Sequence, residues 1–481
     1  MGYNRVAYGI RIYGFTAMVE PEQQTSVMYA KLEQEEKKMK ELLELVKELS
    51  FVRTGGSDEE RKAGELVMEE VNRAAAEAGR EDIRGEYETF RIPDAELKKC
   101  SVQAEGREIP SAAFLRSGNI DRECSLVYLD GASEIDFAQA GDLEGKAVLL
   151  NGLTNEDVYK RLVEHKVAAF LVMQGKYYYS AEEASLYSRR LREHFSRNGI
   201  IPGFAIPAAD ALWLIREEVE KVHLTLEQED RSPESRNITA VIEGTDFKEE
   251  SIVLTAHYDS VPVGTGSWDN ATGTVALLAI FRHFAEHPAR RTLRFVWCGS
   301  EELGLLGSKA YVEQHKDLLE KTVFCFNFDM CGTVLGANKI IITGEKELET
   351  FVDQYCKITG YSADKGVGVH SSDSAPFCDN GIPALGLSRE TTTASIHTIH
   401  DLISTLSEKA IHKNVDFANR IIGDVANAAV IPVKKGMPEE TKKELDKYFH
   451  RDKEKEAEKE KEAEKAKESE KAKESEKAKE S

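Results

Sequence analysis

Ser251-Ile252-Val253-Leu254-Thr255-Ala256-His257-Tyr258-Asp259 is a short apolar run ending in an imidazole and a carboxylate, and Trp268-Asp269-Asn270-Ala271-Thr272-Gly273 follows closely. Two further runs have the same form: residues 292–298 lead into Gly299-Ser300-Glu301-Glu302, and residues 323–328 lead into Asp329. Short apolar runs with polar ends read as buried parallel strands, and open α/β sheets place their ligand crevice outside the carboxyl ends of such strands. His397, in Ile396-His397-Thr398-Ile399-His400-Asp401, adds a second imidazole. A lone histidine or aspartate after a strand is ordinarily a hydrogen-bonded structural residue. The ordered set is different: His257, Asp269, Glu302, Asp329 and His397 offer oxygen or imidazole ligands, and Glu301 is a spare carboxylate. That is the inventory of a two-metal hydrolase.

Taken together, His257-x-Asp259, Trp268-Asp269-Asn270-Ala-Thr-Gly273, Ser300-Glu301-Glu302-Leu-Gly304, Asn327-Phe-Asp329-Met-x-Gly332 and His397-Thr-x-x-Asp401 resemble the co-catalytic dizinc aminopeptidase family. That family also holds glutamate carboxypeptidase II, glutaminyl cyclase and the transferrin receptor. The motif order runs over roughly residues 236–430. The resemblance implies two zinc ions bridged by Asp269, with His257 and Asp329 completing one site and Glu302 and His397 the other. It implies a catalytic pair, Glu301 as general base and Asp259 behind it. Asp259 and Asp401 would each orient a metal-bound imidazole, as carboxylate partners of ligating histidines do. It also implies a cis peptide between Asp269 and Asn270. The sequence departs from the family where Leu402 follows Asp401 and where His400 stands inside the last motif. The His-Thr-x-x-Asp spacing selects His397 as the ligand and leaves His400 as a loop residue. The segment His370–Phe377 resembles the family's substrate-side loop, with Asp373 a structural residue.

The chemistry needs these residue types. Two cations about 3.5–4 Å apart share a bridging carboxylate and activate a water between them. With Glu302 committed as a ligand, its neighbour Glu301 is free to move the water proton. Gly299-Ser300-Glu301 lacks the glycine that closes a nucleophile elbow, so Ser300 reads as part of the turn presenting the glutamates. Gly264-Thr265-Gly266 is too short for a phosphate loop. Basic residues form no aromatic-interleaved stripe, which argues against a nucleic-acid partner.

The resemblance implies an α/β fold of the zinc exopeptidase type, a mixed, mostly parallel sheet with helices on both faces. Residues 29–95 would open the peptidase domain. Here Met39, Leu42, Leu43, Val46 and Leu49 have helical spacing, Ser57-Asp-Glu-Glu60 forms a capping box, Gly79 stops the second helix, and Arg84–Ile92 is a strand. Residues 96–234, with runs at 143–150, 168–172 and 200–206, resemble a smaller, β-rich protease-associated domain inserted into the peptidase. Residues 235–433 would complete the peptidase, and 434–481 would be a low-complexity charged tail. That tail holds as many basic as acidic side chains, so the net charge of −21 belongs to the remainder of the 481 residues. Seven scattered cysteines without a CxxC pair, and no apolar run of membrane length, suit a soluble cytoplasmic protein without a membrane partner. The expected activity is a zinc metallopeptidase, an aminopeptidase acting on peptide substrates. Two rivals stand beside it: a carboxypeptidase or dipeptidase of the same fold, for which Arg389 is the candidate carboxylate clamp, and a non-catalytic receptor-like binding protein.

Overall fold

A computed structural model describes residues 42–153 and 155–451. The start of the expected first helix, before residue 42, and the repeat tail from 452 lie outside the described residues. The sheet whose strand ends carry the candidate ligands has eight strands in the order Glu86–Arg91, Glu234–Ile242, Arg291–Cys298, Phe247–His257, Thr322–Phe328, Ala384–Glu390, Ala337–Thr343, Asp364–Val367. Its centre is parallel: Phe247–His257 runs between Arg291–Cys298 and Thr322–Phe328, and the latter pairs in parallel with Ala384–Glu390. Antiparallel pairs occur nearer its edges, so the sheet is mixed.

Alternation along these strands feeds two cores, because successive side chains point to opposite faces. Ile252, Leu254, Phe295, Trp297, Phe324 and Phe326 join one buried cluster with Val67, Val275 and Ile421 from the helices Asp58–Glu77, Thr272–Glu286 and Glu408–Asn427. Val253, Val296, Cys298 and Cys325 join another with Tyr311, Phe377 and Leu445, from helices Leu306–Gln314, Ala375–Asp379 and Glu439–Tyr448. Burial on both faces is why these strands read as continuous apolar runs.

The helix Asp58–Glu77 starts at Ser57, whose Oγ accepts the Glu60 N–H at 3.0 Å. Only half of the expected capping box forms. The Glu60 carboxylate turns back to accept the Gly56 N–H at 2.7 Å and is otherwise drawn into the interior. Gly79, at φ +67°, ends the helix in the left-handed region as expected.

A second sheet of nine strands lies between Asp94–Ala104 and Lys221–Arg231 in the chain. Its interior run, Ile120–Leu129, Ala147–Leu150, Ala169–Gln174 and Gly203–Pro207, is parallel. Residues 434–451 differ from the solvated tail expected from their charge. Met437 and Leu445 are buried, and the helix Glu439–Tyr448 packs on the second core of the eight-stranded sheet. A few apolar side chains in a charged segment suffice to dock it.

Candidate metal centre

Register aligns the chemistry. His257 pairs with Cys298 across one ladder, and Thr255 pairs with Asn327 across the other. The segments leaving these strands, His257–Asp259, Ser300–Glu302 and Asp329, therefore emerge side by side. Asp269 arrives from the turn before the buried helix Thr272–Glu286, and His397 from a loop on the opposite side. The peptide between Asp269 and Asn270 is cis.

The five expected ligands form two trios that share one carboxylate. His257, Asp269 and Asp329 bring one ligand atom each within 4.8 Å of the others, and so do Asp269, Glu302 and His397. The two oxygens of Asp269 divide between them: Oδ1 lies 3.2 Å from His257 Nε2, and Oδ2 lies 3.1 Å from His397 Nε2. Asp329 Oδ1 is 3.6 Å from His257 Nε2, and Glu302 Oε1 is 3.0 Å from His397 Nε2. Asp329 Oδ1 is buried without a hydrogen-bond partner, which a native protein ordinarily avoids unless the atom has another task. Nitrogen and carboxylate donors at this closeness fit a pair of zinc-like cations.

The electrostatics point the same way. Burial opposes charge on His257, yet Glu301, Asp259, Asp269 and Asp329 together hold its imidazole well above the ordinary pKa. His397 is raised by Asp269 and Glu302 against the same opposition. Burial, with the neighbouring charge of Asp269, pushes Glu302 up. Carboxylates gathered beyond what two imidazoles can balance create the demand for positive charge that divalent ions meet.

Glu301 belongs to neither trio. Desolvation raises its carboxyl well above the usual range, with His257 opposing and Glu302, Asp373 and Asp329 reinforcing the shift. Its backbone is fixed from below, where Asp259 accepts the N–H of Glu301 at 2.9 Å and of Glu302 at 3.2 Å. Asp259 also lies 3.4 Å from His257 Nδ1, a buried nitrogen without a formed hydrogen bond, so one buried carboxylate stands beside a ligand while it fixes the glutamate turn. Ser300, at φ +55°, closes that turn and donates to Glu60 Oε1 at 2.9 Å.

Asp401 takes a different part from the one expected. It accepts the N–H groups of Trp268 at 2.7 Å and Asp269 at 3.1 Å, so it positions the shared carboxylate rather than the imidazole of His397. His400 is exposed and stays outside both trios. Asp373 is buried behind the site, and burial lifts its carboxyl to about 6. Arg389 is occupied by Thr333 O, Asn338 Oδ1 and Val334 O at 2.7, 3.1 and 3.3 Å, and it does not line the cleft.

Two supporting residues escaped the sequence reading. Arg53, fully buried, donates to the carbonyls of Tyr258 (2.6 Å), Leu49 (2.8 Å), Phe51 (3.0 Å), Thr265 (2.9 Å) and Gly266 (2.7 Å). It thereby ties the loop carrying Asp259 to the turn before Asp269. Glu60 holds Ser300 and Ser235 from the other side. The only local signal was a charged residue beside an apolar stretch, as in Phe51-Val52-Arg53.

The fold and the paired ligand trios define an α/β protein with a candidate two-metal centre at its strand ends. Residues 237–422 match the model of peptidase family M28. Aminopeptidase YwaD of Bacillus subtilis (strain 168) is 30% identical over 234 residues, which cover 44% of this chain and 48% of that protein. Leucine aminopeptidase 2 of Trichophyton equinum is 30% identical over 163 residues, covering 31% and 33% of the two chains. The chain thus spans half or less of these curated relatives' length. Among solved structures, a zinc aminopeptidase from Bacillus subtilis, BSAP, superposes with a TM-score of 0.69 at 23% identity, covering 84% of this chain and 98% of that one. That likeness establishes the shared fold.

Proposed function

We propose that the protein is a metal-dependent aminopeptidase that hydrolyses the N-terminal bond of peptides. The observation that carries this reading is the pair of ligand trios sharing Asp269, with Glu301 left outside both. His257, Asp269 and Asp329 would hold one ion, and Asp269, Glu302 and His397 the other. Zinc at both positions supplies, when bound, an electrophile for the scissile carbonyl and a lowered pKa for water. Glu301 takes the proton of the attacking water and returns it to the departing amine as the C–N bond breaks. Asp259 keeps Glu301 and Glu302 on one rigid turn through their N–H groups. The aminopeptidase names of the relatives support the same reading.

We assign the nine-stranded unit to the protease-associated type and the protein to the cytosol. The first rests on its parallel core strands and the second on the scattered cysteines. Among the described residues no helix is long and apolar enough to cross a membrane. The function is tested by metal analysis of purified protein together with hydrolysis of leucyl anilide and its N-acetyl form. Two ions per chain, chelator sensitivity and a rate at least about tenfold lower for the blocked substrate are expected, since one charge-assisted contact is lost. Full activity in chelator would sink the reading.

A further inference from the structure

The cleft above the metal centre, about 1090 Å³, has two sides of opposite charge. Its floor is the carboxylate set already described. Its other flank brings together Arg190 and Arg192 from the second-sheet unit, Lys309 from the helix after the glutamate turn, and Lys447 from the C-terminal helix. Two carboxylates share this flank, Glu193 and Glu444, and Glu444 is engaged with the Val369 N–H at 3.2 Å. A chain with 85 acidic and 64 basic side chains gives no compositional reason for such a cluster.

Two of these cations are committed to architecture. Arg190 donates to Pro93 O and Leu303 O, and Lys309 donates to Gly304 O at 3.0 Å. Both acceptors on the peptidase side directly follow Glu301-Glu302, so the flank is anchored next to the proposed base. The other two, Arg192 and Lys447, are exposed, and neither makes an ion pair or side-chain hydrogen bond among the described residues. Partial desolvation and the like charges of Arg192 and Arg190 hold the Lys309 ammonium below its ordinary pKa, although Glu193 and Glu301 oppose them. The positive charge here is thus incompletely balanced.

Glu301 hands its proton to the departing amine, so whatever lies beyond Glu301 faces the leaving fragment. We propose that Arg192 and Lys447, supported by Arg190 and Lys309, form a carboxylate-binding subsite for the leaving fragment, selecting short peptides or those acidic beside the scissile bond. This rests on the hydrolase reading above and adds what the substrate carries at its far end. The two exposed cations can close on that carboxylate without surrendering another partner.

The test measures kcat/KM on leucyl-glycine, leucyl-glutamyl amide and leucyl-glycine amide, which present a terminal carboxylate, a side-chain carboxylate and neither. The expected result is a preference of about tenfold for a carboxylate-bearing substrate over the neutral amide. That ratio should fall about threefold with Arg192→Ala or Lys447→Ala and vanish in the double variant, the scale of exposed ion pairs. Salt at 0.5 M should erode it in the wild type. Whichever carboxylate substrate gains identifies the source. A ratio near one in the wild type, or one unmoved by both substitutions, overturns the subsite. N-acetyl-leucyl-glycine cleaved as fast as leucyl-glycine overturns the aminopeptidase direction while leaving the subsite standing. If nothing is hydrolysed, calorimetric binding of glutamyl-glutamate decides: weaker binding in the double variant supports the subsite, and equal binding removes it.

Discussion

Replacing Arg53 with methionine removes a guanidinium while keeping much of its apolar stem, so the outcome measures the hydrogen bonds. Five carbonyls lose their donor, and those of Tyr258, Leu49 and Gly266 are bonded in fully buried surroundings. An orphaned buried acceptor costs about 1–3 kcal/mol, so these three set a loss of roughly 3 kcal/mol at the low end. Partly offsetting relief comes from no longer burying a charge: desolvation pulls the Arg53 pKa down to about 10 despite Asp259, Asp401, Asp269 and Glu302. A loss of about 3 kcal/mol is a large share of the 5–15 kcal/mol typical of a folded domain. Lysine at this position should be intermediate, because three ammonium donors cannot match the planar fork. Urea unfolding of the purified chain reads the stability. Zinc titration reads the site, where affinity should weaken about 10–100-fold because the Asp259 and Asp269 loops lose their common tie. A shift below about 1 kcal/mol with unchanged zinc affinity would refute the reasoning.

Glu301→Gln should retain both ions by elemental analysis while kcat falls about 10²–10⁴-fold, the worth of a general base. His397→Ala should empty one metal position and His400→Ala neither, read by metal stoichiometry. Truncation after Met437 removes the helix Glu439–Tyr448 with its buried Leu445 and should cost stability and cleft activity. Truncation after Arg451 should cost neither, and urea unfolding with anilide kinetics compares the two. Burial, with the Asp259 charge and against the Gly56, Ser235 and Ser300 hydrogen bonds, lifts the Glu60 carboxyl from 4.5 to about 7. The unfolded chain gives up that proton first, so stability should fall as pH rises through that window, and Glu60→Gln should flatten the slope in metal-free urea titrations.

His257, Asp269, Glu302 and Asp329 were legible because each sits at a strand end or in a glycine-bounded turn, where pattern and chemistry coincide within a few residues, whereas His397 lies in a loop and was reached through the His-Thr-x-x-Asp spacing. Their supports were not. Arg53 meets Tyr258 across 205 positions, and Glu60 meets Ser300 across 240, so no local window contains both partners. Asp401 was found by spacing, but its bonds to the Trp268 and Asp269 N–H groups depend on how two loops cross. The docking of residues 434–451 was hidden because Met437, Leu445 and Phe449 are sparse among charges, and only the surface that receives them makes them a face. The cationic flank draws on three distant segments and exists only in the folded chain.

The strand Glu86–Arg91 pairs with Glu234–Ile242 so that Arg91 faces Glu234 directly. Everything from 92 to 233 therefore departs and returns through one register pair, like an outsized hairpin loop. Closing a longer loop adds cost only with the logarithm of its length, so such a junction tolerates extra chain well. The nine-stranded unit is thus an appendage that evolution can enlarge, exchange or remove without re-threading the sheet that carries the metal ligands. In this chain that appendage supplies Arg190 and Arg192 to the cleft, so replacing it is a route to new substrate preferences over an unaltered reaction centre.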